Sequence, residues 1–272
     1  MLRLGVVSFL NSRPLIAGLE SDADIQLVLD VPAALPGRLD RGEVDVSLIP
    51  VLDVLRGHGQ YQVVSDACIA CDGETMTVRI FAQVPPDRIR TLWVDTDSHT
   101  SVALARVLWR ELYVRDLESR TIDTRREDLR ACEAVLLIGD KVVSPQRGSF
   151  AYEVDLGGAW RQHTGLPFVF AVWAMRTAMP NGGNVAALLE AARDRGVARA
   201  AEIADTEGPS HGWPAELARR YLMRCLKFRL DDRSRAGVAR FAHYCLAADI
   251  VPPDALDTWM AQWTPRPVPV TP

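Results

Sequence analysis

No stretch of this sequence comes near the ~20 consecutive apolar residues that a membrane-crossing helix needs, so a helical anchor is not expected. An excess of basic residues is missing too. Thirty-one Lys and Arg stand against 35 Asp and Glu, a formal charge of −4, and the cations are spread along the chain. That balance offers no footing for nucleic acid or an anionic membrane surface. The patterns G-x-G-x-x-G, G-x-x-x-x-G-K-[ST] and H-E-x-x-H are absent, which removes the usual signatures of dinucleotide binding, phosphate loops and zinc proteolysis. Apolar sequence begins at Leu2 with no room before it for a secretory leader, so the expected location is cytoplasmic. Five cysteines, an odd number, fit free thiols in a reducing compartment. Cys68 and Cys71 have C-x-x-C spacing, but no second such pair accompanies them. Buried, inert thiols are the expectation there. No metal or organic cofactor is expected.

What the sequence does have is alternation. With 272 residues, 48% hydrophobic and 24% charged, the chain suits one large or two modest globular domains. Its organising stretch is residues 91–104. A short apolar run stops at Asp95, seven polar residues follow, and then Val102, Leu104, Val107, Leu108 and Leu112 recur at helical spacing. This reads as strand, polar loop and helix. Ser98, Thr100 and Ser101 fall at the helix start, where short hydroxyls cap free amides or share them with a ligand. Such a start favours anions. The chain opens the same way: an apolar strand at 2–7, then Ser8, Phe9, Leu10, Asn11 and Ser12 ahead of Pro14.

Strands are further expected at 25–29, 44–49, 134–138 and 168–174. Helices are expected at 32–39, 51–55, 186–195, 197–206, 215–223 and 231–248. The alternation indicates mostly parallel sheets covered on both faces. The layout is α/β with two lobes, joined by crossings near 81–89 and 168–176. Residues 1–84 with 175–263 form lobe I, residues 85–174 form lobe II, and 264–272 is an unpacked, proline-dense tail. Ligands of open α/β sheets bind beyond the carboxyl ends of strands, and two facing lobes make a cleft.

Both lobes present a polar turn after their first strand, residues 8–11 and 95–101, which suggests a ligand with acidic groups at both ends. Thr164 and Gly165, before the long strand, offer a hydroxyl and free amides at the same level. Thr77 can add a hydrogen bond. His99, inside the second turn, is either a ligand-touching or proton-transferring group or simply exposed. Asp140 is as suited to capping a helix as to touching a ligand.

At Gly5-Val6-Val7-Ser8-Phe9-Leu10-Asn11-Ser12-Arg13-Pro14-Leu15 the sequence resembles the menaquinone-biosynthesis dehydratases, the chorismate dehydratases of the futalosine pathway. The likeness runs through residues 42–50, 68–73, 95–102, 137–140, 155–157 and 164–173, then Tyr221-Leu222 and Phe228-Arg229-Leu230. The resemblance implies a periplasmic-binding-protein-like fold of the second type with a central cleft. It also implies a carbon–oxygen lyase that dehydrates chorismate to 3-[(1-carboxyvinyl)oxy]benzoate. By correspondence it places Asn11, Thr77, Ser98, Thr100, Ser101, Thr164 and Gly165 in the pocket. Ser8 belongs to the same first turn, and Asn11 and His99 are the catalytic candidates. Either His99 or the substrate's own enolpyruvyl carboxylate takes the proton. The expected partner is chorismate or a related dicarboxylate, bound by a monomer or homodimer. The sequence departs from the family pattern at Cys71, Thr77, His99 and Lys141. At 99 an imidazole replaces the expected guanidinium, which holds carboxylates better. The rival reading is a cytoplasmic protein that binds or senses a small carboxylate on this fold without turnover.

Overall fold

Two sheets carry the chain, built from the apolar runs that polar turns interrupt. The structure is a computed structural model and describes residues 1–95, 97–124, 127–143, 149–177 and 183–263. The strands are β1 (Leu2–Val7), β2 (Ile25–Asp30), β3 (Val46–Pro50), β4 (Tyr61–Cys71), β5 (Val78–Ala82) and β6 (Thr91–Val94). They continue as β7 (Glu118–Thr121), β8 (Ala134–Ile138), β9 (Tyr152–Asp155), β10 (Phe168–Arg176) and β11 (Leu226–Arg229). The first sheet has the order β11-β4-β10-β3-β1-β2 and the second β7-β6-β8-β5-β9. In the first, β1 runs parallel to β2 and β3, while β10 lies antiparallel between β3 and β4. In the second, β6 is parallel to β7 and β8, and β5 is antiparallel to β8 and β9.

The helices are α1 (Leu35–Asp40), α2 (Val51–Arg56), α3 (His99–Tyr113), α4 (Leu156–Thr164) and α5 (Gly183–Ala198). After them come α6 (Ala200–Glu207), α7 (Ala215–Arg220), α8 (Asp232–Ala247) and α9 (Ala255–Ala261). They cover the sheets, and Trp109, Trp160, Trp173 and Trp259 are fully buried in the core between them. The tail at 264–272 lies outside the described residues.

The sheets redraw the expected lobe boundary. β5, assigned from sequence to the first lobe, pairs with β8 and β9 in the second sheet. β10, assigned to the second lobe, pairs along its length with β3 and β4 in the first. The chain therefore crosses at residues 72–77 and returns at 165–167. The cause is burial: β10 is a central strand, apolar on both faces, which sequence reading takes for a bridge between bodies. The prolines before β6 start only a short 3-10 turn, Pro86–Arg88. β7 escaped sequence reading because it is an exposed strand at the sheet edge, Glu118-Ser119-Arg120-Thr121, with no hydrophobic signal.

Candidate functional site

Three segments meet where the sheets face each other. The first leaves β1 and turns into the 3-10 helix Leu10–Leu15. Ser12 Oγ fastens this turn, donating to Val7 O at 2.5 Å with Phe9 O at 3.0 Å. The Asn11 amide makes a side-chain hydrogen bond to Tyr221, while its Oδ1 is buried with no hydrogen-bond partner among the described residues. A buried acceptor left unpaired is costly, so its natural partner is a ligand donor.

The second segment leads from β6 into α3. Ser98 caps the helix, its Oγ accepting from Ser101 N at 3.2 Å and donating to Ser101 Oγ at 2.8 Å. Ser101 Oγ is thus an acceptor within the cap, and its own hydrogen is free to donate. Thr100 Oγ1 accepts from Leu52 N, at the start of α2, at 3.2 Å. Its hydrogen is likewise left for a ligand. Lys141 holds the approach to this helix by pairing with Asp95 and Asp97. Burial raises the Asp95 pKa, but hydrogen bonds from Lys141 and Thr124 outweigh it, and the group stays below its ordinary value.

The third segment is the outgoing crossing. Asp155 accepts from Thr75 N at 2.9 Å and Met76 N at 2.7 Å, and Met76 takes a left-handed φ of 66°. Thr77 Oγ1 then lies 2.7 Å from the hydroxyl of Tyr221. Tyr221 opens a π-helical turn, Tyr221–Cys225, the irregularity that re-aims a side chain inside a helix. Burial pushes the Tyr221 phenol well above its ordinary pKa, so it is protonated at neutral pH.

Together these segments line one cavity. Asn11, Thr75, Thr77, Ser98, Thr100, Ser101 and Tyr221 give its polar wall; Phe9, Ile69 and Phe170 are among its apolar residues. Among the described residues lining it, Tyr221 is the only one with a titratable side chain. No described group of three or more His, Cys, Asp or Glu is placed to hold a metal. Cys68 and Cys71 are buried free thiols, and burial raises both well above the ordinary pKa.

Five of the nine residues expected from sequence come together here: Asn11, Thr77, Ser98, Thr100 and Ser101. Four do not line the cavity. Ser8 is half-buried and pairs through its backbone N–H with Asp30 O at 2.9 Å. His99 turns to the other side of α3, where Nδ1 lies 3.0 Å from both carboxylate oxygens of Asp53. The Asp53 hydrogen bond raises the imidazole pKa and burial lowers it, with a net rise. Thr164 closes α4, its Oγ1 donating to Trp160 O at 2.9 Å and accepting from Leu166 N at 3.1 Å. Gly165, at φ 73°, is the left-handed cap of that helix. A hydroxyl and a glycine before a strand resemble a receptor in sequence, but here they finish α4. Tyr221 was visible in sequence only as part of a family motif, and Thr75 gave no signal.

Residues 2–247 match the menaquinone biosynthesis family. The chain belongs to that family. A chorismate dehydratase from Thermus thermophilus is 30% identical over 255 residues, covering 88% of this chain and 93% of its own. Among solved structures, protein AF1704 from Archaeoglobus fulgidus superposes with TM-score 0.71 at 16% identity, covering 92% of this chain and 98% of its own. The periplasmic aliphatic sulphonate binding protein SsuA from Escherichia coli gives 0.68 at 12%, covering 98% and 93%. The likeness to SsuA establishes the periplasmic-binding-protein-like fold expected from sequence. No helix among the described residues is long and apolar enough to cross a membrane.

Proposed function

We propose that this member of the menaquinone biosynthesis family dehydrates chorismate to 3-[(1-carboxyvinyl)oxy]benzoate in the cavity between its lobes. The observation that carries the reading is the kinship with the Thermus thermophilus dehydratase. The gathering of Asn11, Thr77, Ser98, Thr100 and Ser101 around one cavity supports it.

The reaction removes the C3 proton and the C4 hydroxyl of the ring, which becomes aromatic. Losing the proton first places negative charge on C3 and, by conjugation, on the ring carboxylate. Donors already aimed at that carboxylate lower the barrier, because they need no reorganisation as charge develops. Ser101, Thr100 and the start of α3 are such donors, and the helix dipole adds to them. They stand in for the guanidinium that the family pattern puts at position 99. Among the described residues the cavity wall has no carboxylate, imidazole or amine, so the substrate's enolpyruvyl carboxylate takes the C3 proton. It then passes that proton to the departing C4 hydroxyl, and water leaves. Asn11 Oδ1 accepts from the substrate's ring hydroxyl and holds the ring in register. His99 takes no part in this proton transfer, since it is paired with Asp53 on the far side of α3.

The test is to incubate the protein with chorismate and follow the product by mass. A species lighter by one water supports the dehydratase. Binding without that product would favour a carboxylate sensor, and neither would sink both readings.

A further inference from the structure

Asp140 is a carboxylate of the second lobe whose side-chain hydrogen bonds, among the described residues, all go to the first. It follows Gly139, where φ is +60° and a Cβ would lie 2.5 Å from the Phe9 ring. Only glycine lets the two lobes approach so closely there. Leu10 N donates to Asp140 at 3.2 Å, His211 Nδ1 lies at 2.7 Å, and Trp213 Nε1 donates at 2.8 Å. The carboxylate is 17% exposed.

Each partner leads to the cavity. Leu10 is the residue before Asn11 on the same turn. Trp213 lies flat on Tyr221, with ring centres 4.7 Å apart and planes 8° from parallel. Tyr221 in turn meets Thr77. His211 Nε2 lies 3.5 Å from the guanidinium of Arg13, two residues past Asn11. Two carboxylate oxygens can serve three donors, whereas an amide offers one acceptor and two hydrogens. The bonds exist only while the lobes are together.

We infer that Asp140 is a positioning residue for the dehydration: it latches the lobes and sets Asn11 and Tyr221 against the substrate. The part concerning turnover rests on the dehydratase reading; the latch itself does not. Asp140→Asn keeps the shape and turns an N–H toward the donors. Trp213→Phe keeps a flat ring on Tyr221 and drops the N–H.

The experiment measures chorismate turnover for both variants and their combination, with circular dichroism and small-angle scattering without substrate. Asp140→Asn is expected to remain folded and lose about tenfold or more in kcat, as bonds to charged groups are the stronger ones. Trp213→Phe should lose several-fold. The double variant should be no slower than Asp140→Asn, because both cut one link. The radius of gyration of Asp140→Asn should exceed that of the wild type. A purely structural role would lower melting temperature and leave kcat per folded molecule unchanged, which overturns the inference. Multiplicative losses in the double variant, or an unchanged radius, overturn it too. A wild type that does not dehydrate chorismate would sink the functional reading alone, and scattering would still decide the latch.

Discussion

The turns after β1 and β6 are alike in sequence and opposite in what they present. Each follows an apolar strand, each is rich in short polar side chains, and each borders the cavity. The first offers an acceptor, the unpaired Asn11 Oδ1. The second offers donors, the hydroxyls of Thr100 and Ser101, whose oxygens already accept from Leu52 N and Ser98 Oγ. The difference lies in how each turn satisfies its own backbone. Ser12 occupies the Val7 and Phe9 carbonyls in the first, and Ser98 occupies the Ser101 amide in the second. What is left over faces the ligand. A count of polar residues does not locate a site; the groups remaining after local hydrogen bonding do.

Breaking the acceptor side should have the largest effect. Asn11→Ala is expected to cut kcat/KM for chorismate by roughly 10²–10³, the usual loss when one preorganised polar contact goes. Its melting temperature should fall only slightly, because the fold loses one side-chain hydrogen bond, to Tyr221, while Asn11 Oδ1 has no partner among the described residues. On the donor side, Ser101→Ala should cost up to about tenfold in kcat/KM, one neutral hydrogen bond's worth, with initial rates as the measurement. Tyr221→Phe leaves Thr77 without its partner and should cost only several-fold in rate.

The smallest effect is expected at His99. His99→Ala should turn over chorismate at close to the wild-type rate. Its signature is in stability instead. The folded pKa of His99 is raised by Asp53, so the pair's contribution is complete below the unfolded value, about 6.5. That contribution is lost as pH rises through the higher folded value. Thermal melts should therefore show wild type and His99→Ala furthest apart near pH 6 and converging in alkali. The gap should be below about 1 kcal/mol, because the ring is part-exposed and solvent screens the pair.

Much of this was legible in the chain. Thr91–Val94 and Ala134–Ile138 form strands with the bounds that apolarity alone suggests, because their polar stops are abrupt. The cap at Ser98 was legible for the same reason. β10 was placed in the wrong lobe because a strand buried on both faces carries no period to show which sheet it serves. The side His99 faces is legible in helical spacing. His99, Val102, Ala103 and Arg106 stand at i, i+3, i+4 and i+7, and all four border a separate depression behind α3. Thr100 and Ser101 are turned away from that stripe. Helical spacing alone separates the imidazole from the hydroxyls beside it. Asp140 and Tyr221 were not separable from core or cap in sequence, since their partners lie 130 and 144 residues away.

Under the proposed mechanism the substrate's own carboxylate is the base, and the pH dependence of kcat with chorismate is the sharpest test of it. A flat profile from about pH 6 to 9 is expected, since neither an imidazole nor a carboxylate is among the described residues lining the cavity. An inflection in the imidazole range that disappears in His99→Ala would contradict it.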